Sequence, residues 1–150
     1  MVTKANIDQF FESKKIAIAG VSRNPKKFPT VIFTELKQKG FTVFPINPNA
    51  DVIGGVKCYP DVASLPAEVE SLAIVTRKDK TESLVDAAIS CGIKNVWIQQ
   101  MSETPAAVEK AKNAGINVIY KKCLFMFSEP VAGMHKFHRS IKKLFGQLPR

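Results

Sequence analysis

The sequence predicts an α/β fold of the Rossmann-like, doubly wound kind: a mainly parallel, five-stranded sheet with helices on both faces. Short apolar, β-branched runs alternate along the chain with amphipathic helical patterns. A glycine stands at each joint where a helix passes into the next strand, at Gly40, Gly92 and Gly115. Strands that are apolar at nearly every position are typical of a parallel sheet, because helices cover both of its faces.

The elements follow from these patterns in chain order. Pro29 and Pro105 suit the first turns of helices, and Asp79 with Glu82 three residues on resembles a capping box. Residues 51–68 interrupt the alternation with a turn, a short extended piece and a helical turn near 61–65. Strands are expected near residues 15–20, 41–46, 71–76, 94–99 and 116–120, and helices over 29–39, 80–91 and 105–114.

Length and cysteine content restrict the class of protein. A chain of 150 residues fits one domain, with a core over about 13–123 and a C-terminal helix over about 131–147. Three widely spaced cysteines, Cys58, Cys91 and Cys123, argue against a disulfide framework or zinc site. No apolar run approaches the ~20 residues that a membrane helix needs. We therefore expect a cytoplasmic protein that holds no metal and is not bound to a membrane.

Basic residues dominate the charge, with 22 basic and 13 acidic residues and a net charge of +9. Such an excess suits nucleic acid, acidic lipid or a polyphosphate ligand. A single tryptophan and two tyrosines offer few stacking platforms, which argues against nucleic acid. Two of the basic clusters follow predicted strands, where an open α/β sheet binds its ligand; they comprise Arg23, Lys26 and Lys27, and Arg77, Lys78 and Lys80.

The turn after the first strand indicates a phosphate site. The run Lys15-Ile-Ala-Ile-Ala-Gly-Val-Ser22 is a buried strand that stops at a glycine and a hydroxyl, shortly before the helix at Pro29. Such a turn exposes backbone N–H groups beside an electropositive helix end. The backbone of Gly20, Val21 and Ser22 is therefore the candidate cradle for a pyrophosphate, with Arg23, Lys26 and Lys27 as charge partners.

The same region departs from a dinucleotide site. That site has the pattern G-x-G-x-x-G and a carboxylate about twenty residues later for the ribose hydroxyls. Here Ser22 stands where the second glycine would be, and the second strand ends in Asn47-Pro48 without an acid. An uncharged Asn47 can hydrogen-bond a 3′-phosphorylated ribose, which a carboxylate would repel. A small NAD(P)-binding redox enzyme or redox sensor stays an alternative.

Several segments in order resemble a known family, the small stand-alone CoA-binding proteins, whose domain is similar to the CoA-binding domain of the succinyl-CoA synthetase α subunit. The segments are Gly20-Val21-Ser22, Phe44-Pro-Ile-Asn-Pro-Asn49, Gly54-Gly-Val-Lys-Cys-Tyr-Pro60 and the strand end at Gln99. The resemblance implies a CoA or acyl-CoA binding protein without evident catalysis. It implies that Asn47 and Pro48 line the adenosine side, that Thr76, Arg77 and Lys80 lie at the mouth of the third strand, and that Gln99 meets the pantetheine amides.

Each of these residues also has a purely structural interpretation. Gly20 would then serve only a tight turn, Asn47 only the backbone of a turn, and Gln99 a buried hydrogen bond. Cys123 follows two lysines that would make its thiol reactive toward CoA, but a buried, inert cysteine is the better interpretation for it and for Cys58 and Cys91.

The end of the chain offers no catalytic group. His135 and His138 are expected at the surface, and no triad, paired-carboxylate motif or P-loop is present in the sequence. From residue 131 onward an apolar stripe at helical spacing is predicted to pack on its own domain, as are Ile7, Phe10 and Phe11 of an early helix. Exposure of either stripe would favour a homodimer or an unidentified protein partner.

Overall fold

The structure is a computed structural model and describes residues 1–128. Its main sheet has five parallel strands in the order β2-β1-β5-β6-β7, and β3 and β4 form a separate antiparallel hairpin. The strands are β1 Lys15–Ala19, β2 Thr42–Ile46, β3 Val52–Ile53, β4 Val56–Lys57, β5 Ser71–Ile74, β6 Asn95–Gln99 and β7 Asn117–Lys122. The helices are α1 Lys4–Glu12, α2 Phe28–Gln38, α3 Lys78–Ser90, α4 Pro105–Asn113 and α5 Leu124–Phe127.

This architecture confirms the predicted fold class and its five main strands. The glycines at the helix-to-strand joints have positive φ, 96° at Gly40, 74° at Gly92 and 76° at Gly115. Pro29 and Pro105 lie in the first turns of α2 and α4. The early helix is confirmed as α1. The predicted C-terminal helix, His135 and His138 lie outside the described residues.

Two local predictions were wrong or incomplete. The capping box at Asp79 is wrong, because α3 begins two residues earlier than this box predicts: Arg77 has the extended backbone of an N-cap residue, and it makes no side-chain cap hydrogen bond. Asp79 therefore lies inside the first turn. The short helix α5 was not predicted, since four residues are too few to show a helical period. Residues 61–65 form a turn in which Asp61 accepts from the Ser64 N–H at 2.9 Å.

Two apolar cores lie on the two faces of the sheet, as the alternation of side chains along each strand requires. On one face Ile16 and Ile18 of β1 pack with residues of α1, α2 and α5. On the other face Ala17 and Ala19 pack with residues of α3 and α4. The chain is thus doubly wound, with helices on both sides.

The strand order places a topological switch point between β1 and β5. From β1 the chain passes to β2 on one side, whereas the later strands lie in order on the other side. The loops after β1 and β5 therefore leave the carboxyl edge of the sheet in opposite directions and open a crevice between them. Ligands of open α/β sheets bind in this crevice.

A polar network at the opposite, amino edge of the sheet fixes α1. Asn117 donates to Asn95 Oδ1 at 3.0 Å and to the Asn6 carbonyl at 2.9 Å. The hydroxyl of Ser71, which is fully buried, donates to the Phe10 carbonyl at 2.9 Å. These bonds pair polar groups that would be costly to bury alone, and they leave the carboxyl edge as the open end of the sheet.

Candidate functional site

Gly20 brings the ends of β1 and β5 into direct contact. Its φ is +106°, and a Cβ at this position would lie 2.2 Å from the Val75 carbonyl oxygen. A backbone hydrogen bond from Val75 N–H to the Ala19 carbonyl, 3.1 Å, holds the two chains together at the same level. Only glycine fits here without displacing backbone, so the turn lies at the floor of the crevice.

Thr30, in the first turn of α2, holds the residue that follows this turn. Its hydroxyl accepts from the Ser22 N–H at 3.1 Å and donates to the Ser22 carbonyl at 3.0 Å. The Ser22 hydroxyl in turn accepts from the Asn24 N–H at 3.2 Å. Ser22 therefore has a fixed position and its own N–H is already bonded. Its hydroxyl, 3.5 Å from the Thr30 hydroxyl, is the polar group that it can offer to a ligand.

Asn47 links the loop after β2 to the loop after β1. Its Nδ2 donates to the Val21 carbonyl at 2.9 Å, and its Oδ1 accepts from the Asn49 N–H at 2.8 Å. An aspartate could not make the first of these bonds. The missing acid after β2 thus has a structural reason in addition to the one inferred from the sequence. Arg23 also spans the two loops, donating to the Asn49 carbonyl at 3.2 Å.

Two helices begin at the crevice without a cap. The N-cap residues of α2 and α3 are Lys27 and Arg77, and neither makes a side-chain cap hydrogen bond. In α1 and α4, by contrast, Thr3 and Thr104 accept bonds from their first turns. A cation at a helix N-terminus opposes the helix dipole. Both features favour an anion at the start of α2, where the first turn has no acidic residue.

In the part of the chain that the structure describes, most cations at the carboxyl edge have no acidic partner, a property that Lys14 shares at the amino edge. At the amino edge Lys15 pairs with Glu68 at 3.0 Å and Lys94 with Glu70 at 2.9 Å. Within residues 1–128, Arg77 is the one edge cation with an acidic partner, the exposed Asp79 at 3.4 Å. The others have none: Arg23, Lys26, Lys27, Lys78, Lys80, Lys121 and Lys122.

The loops after β5 and β6 are joined at the far side of the crevice. Ser102, which is buried, donates from its hydroxyl to the Thr76 carbonyl at 2.6 Å, and its own carbonyl accepts from Thr81 at 2.6 Å. Thr76 itself is half-buried, and its methyl group lies beside Gly20. The loop after β6 is thus a rigid wall of the crevice.

Gln99 lies at the end of β6 with both ends of its amide bonded. Its Oε1 accepts from the Leu124 N–H at 2.9 Å, and its Nε2 donates to Cys123 Sγ at 3.1 Å. The side chain is 3% exposed. This is the geometry of a buried hydrogen-bond partner that joins β6 to the start of α5. A contact between Gln99 and pantetheine stays a prediction.

The three cysteines have different environments. Cys58 is buried, and burial raises the pKa of its thiol, which donates to the Asn47 carbonyl at 3.7 Å. Cys123 is half-buried against Gln99. Cys91 is exposed, so its expected burial was wrong: it is the C-cap residue of α3 and lies outside the core. No group of acidic, histidine or cysteine side chains within the described part of the chain has the arrangement of a metal site.

The structure brings together some of the predicted site residues and separates others. Gly20, Val21, Ser22, Arg23 and Asn47 form one connected cluster around the turn after β1. The remaining side chains around the crevice are exposed, except for half-buried Thr76; they are Lys26, Lys27, Pro48, Arg77 and Lys80. Gln99 lies two strands away from β1.

Sequence reasoning missed Thr30 and Ser102. A hydroxyl residue in the first turn of α2 was the available signal for Thr30, since such side chains bond the preceding loop. Ser102 gave no signal, because its partners, Thr76 and Thr81, lie more than twenty residues away in the loop after β5 and in α3. Among residues 1–128, no helix is both long and apolar enough to cross a membrane.

Comparison with known protein families identifies the family of this chain. Residues 14–129 match the family described as CoA binding domain. The chain belongs to this family. The α subunit of acetate–CoA ligase [ADP-forming] II from Pyrococcus furiosus is 29% identical over 129 residues, which are 79% of this chain and 28% of the subunit. The chain thus spans only a small part of this ligase.

Two solved structures from archaea resemble the whole fold. A conserved hypothetical protein from Pyrococcus furiosus is 33% identical with a TM-score of 0.73, and the match covers 76% of this chain and 98% of that one. A hypothetical protein from Pyrococcus horikoshii OT3 is 30% identical with a TM-score of 0.79, covering 84% and 89%. The resemblance to small stand-alone members of the family is therefore confirmed.

Proposed function

We propose that this protein binds CoA or a CoA thioester across the crevice between β1 and β5. The observation that carries the proposal is the glycine turn after β1, which lies against Val75 and faces an uncapped, cation-rich helix start in a chain of the CoA-binding family. CoA has a pyrophosphate and a 3′-phosphate, and it therefore suits an edge with many unpaired cations. The proposal concerns binding and assigns no catalytic residue.

The roles of the residues follow from their positions. The pyrophosphate would lie over Gly20 and Val21 at the first turn of α2, with the Ser22 hydroxyl as a further donor. Arg23, Lys26 and Lys27 would neutralise the phosphates. Asn47 and Pro48 would line the adenosine side, with Asn47 acting chiefly by holding the two loops together. Thr76, Arg77 and Lys80 would flank the pantetheine arm as it passes β5 toward Gln99.

Calorimetry of the ligand-stripped protein with CoA, dephospho-CoA and NAD tests this proposal. CoA is expected to bind, dephospho-CoA to bind more weakly because it lacks a charged phosphate, and NAD not to bind. Binding of NAD without CoA would favour the alternative of a nicotinamide-dependent redox enzyme or sensor. Absence of binding by all three would mean that the chain has the family fold without this function.

A carboxylate within the cradle tests where CoA binds. Ser22→Asp is expected to abolish CoA binding, since the new charge would lie beside the phosphates. Thr34→Asp is the matched control, because it adds the same charge to an exposed position on α2, one turn beyond Thr30. Both variants should unfold at nearly the temperature of the parent protein. Unchanged affinity in Ser22→Asp would remove the glycine turn from the site.

A further inference from the structure

A groove of about 370 Å³ lies between α4 and β7, at the outer edge of the sheet. Its upper end opens at the carboxyl edge, where Glu103 and Thr104 precede α4 and Lys121 is close to the end of β7. Pro105, Val108 and Tyr120 form an apolar wall. The volume lies within the range of small-ligand pockets, and none of these residues has a role in the crevice described above.

The wall of the groove is held in place by its own contacts. Lys112 donates to the Tyr120 hydroxyl at 3.1 Å and lies over the Tyr120 ring at 4.9 Å from its centroid. Val108 is half-buried and packs against the core beneath α4. The groove is therefore preformed, with an apolar surface at its centre and polar groups at both ends.

The distance from the crevice to the groove matches the length of a pantetheine arm. From β1 the edge of the sheet crosses β5 and β6 before it reaches β7, three strand spacings or ~14 Å. Pantetheine has two amide units and a thioethyl end, which together are as long as about four extended residues, again ~14 Å. An extended arm that ran from a pyrophosphate at Gly20 along the carboxyl edge would thus place the thiol end of CoA at the upper end of the groove.

Glu103 at this upper end has an unused acceptor. Its Oε2 is buried and has no hydrogen-bond partner within the described part of the chain. Buried carboxylate oxygens rarely stay unpaired, because each one loses its hydration without compensation. The last amide N–H of pantetheine, two carbons from the sulfur, is a donor of the right kind at this position. Its bond to Glu103 would direct whatever is attached to the sulfur into the groove.

We propose that this groove holds the acyl group of a CoA thioester, and that the ligand is a short-chain acyl-CoA rather than free CoA. The inference rests on the proposed function, since it requires CoA to bind at the glycine turn. The apolar wall selects an uncharged acyl chain. Two carboxylates, Glu103 and Glu109, and two lysines, Lys112 and Lys121, also line the groove, so the charges of its lining balance.

A chain-length series tests the inference. The affinity for free CoA, acetyl-CoA, butyryl-CoA and hexanoyl-CoA is measured by calorimetry. If the acyl chain is buried, affinity should rise by about fourfold for every methylene until the groove is full. Equal affinity for CoA and for all three thioesters would overturn the inference while leaving the proposed function intact. If neither CoA nor any thioester binds, both the proposed function and the inference are wrong.

Variants at Val108 locate the acyl chain. Val108→Trp fills the groove. It should abolish the rise in affinity with acyl-chain length but preserve the affinity for free CoA. Ala106→Trp is the matched control, because Ala106 is exposed on the same helix and does not line the groove. Val108→Ala enlarges the groove instead and avoids the risk of misfolding that a bulky tryptophan brings. It should shift the preference of the protein to a longer acyl chain. A chain-length gain that neither Val108 variant alters would overturn the inference.

Discussion

Gly20 lies against the backbone at the end of β5. No side-chain rearrangement could relieve the overlap that a larger residue would cause there. We expect Gly20→Ala to lower the free energy of unfolding by about 3 kcal/mol or more, because the new Cβ would overlap the Val75 carbonyl and φ is in a region that alanine avoids. CoA affinity should fall as well, since relief of the overlap moves the turn. Urea denaturation and calorimetry measure the two effects.

Gly115→Ala is the control for this substitution. Gly115 also has a positive φ, 76°, but a Cβ there would have no heavy atom within 4 Å. Gly115→Ala should therefore lower the free energy of unfolding only by the cost of the backbone conformation, about 1 kcal/mol. It should leave the affinity for CoA unchanged. Equal costs at the two positions would show that the contact with Val75 adds nothing.

For two site residues, the sequence predicted the position but did not distinguish a contact with the ligand from a structural hydrogen bond. Asn47 and Gln99 stand at the ends of parallel strands, where both a ligand and the neighbouring loops need hydrogen-bond partners. Asn47 bonds nearby Asn49, but Val21 and Leu124, the partners that join Asn47 and Gln99 to other segments, are distant in the sequence. Such contacts depend on which strands are neighbours, and a single sequence does not give the strand order.

Among the elements, α2 both follows the glycine turn and holds it. Thr30→Val keeps the shape of the side chain but removes the hydroxyl that bonds the backbone N–H and carbonyl of Ser22. We expect a loss of about 2 kcal/mol in stability and a fall of about tenfold in CoA affinity, because the turn is no longer fixed before the ligand binds. Hydrogen exchange of the Ser22 amide should become faster than in the parent protein.

Thr34→Val, one turn further along the exposed face of α2, is the control for Thr30→Val. It makes the same chemical change at a position without contact to the turn, and it should leave both the Ser22 exchange rate and CoA affinity unchanged. If Thr30→Val changes neither the exchange rate of the Ser22 amide nor the affinity for CoA, other contacts hold Ser22 in place.

Elements with a long apolar period were predictable, whereas their ends and the shortest pieces were not. The five main strands and α1, α2, α3 and α4 follow from patterns of apolar residues and from prolines and glycines at the boundaries. The start of α3 was misplaced because Asp79 and Glu82 imitate a capping box, while the true N-cap residue is the basic Arg77. A cation at a helix N-terminus opposes the helix dipole, and the phosphates of the proposed ligand would offset this effect.

At the scale of the fold, the unpaired cations at the carboxyl edge are expected to lower the stability of the protein and to strengthen its binding of CoA. Lys26 and Lys27 at the carboxyl edge have no acidic partner within residues 1–128, whereas Lys15 and Lys94 at the amino edge are paired. Unpaired cations close together repel one another. The double variant Lys26→Gln, Lys27→Gln should therefore unfold at a slightly higher temperature without ligand than the parent protein.

The same variant should bind CoA at least tenfold more weakly, and its affinity should depend less steeply on salt, because fewer cations face the phosphates. The double variant Lys15→Gln, Lys94→Gln makes an equal change of charge at the amino edge. It should lose up to about 1 kcal/mol of stability, since exposed ion pairs contribute little, and keep the affinity and the salt dependence of the parent. Thermal unfolding and calorimetry at two salt concentrations distinguish the two variants. If both weaken CoA binding equally, net charge rather than the carboxyl edge attracts the ligand, and the cations around the crevice have no special role.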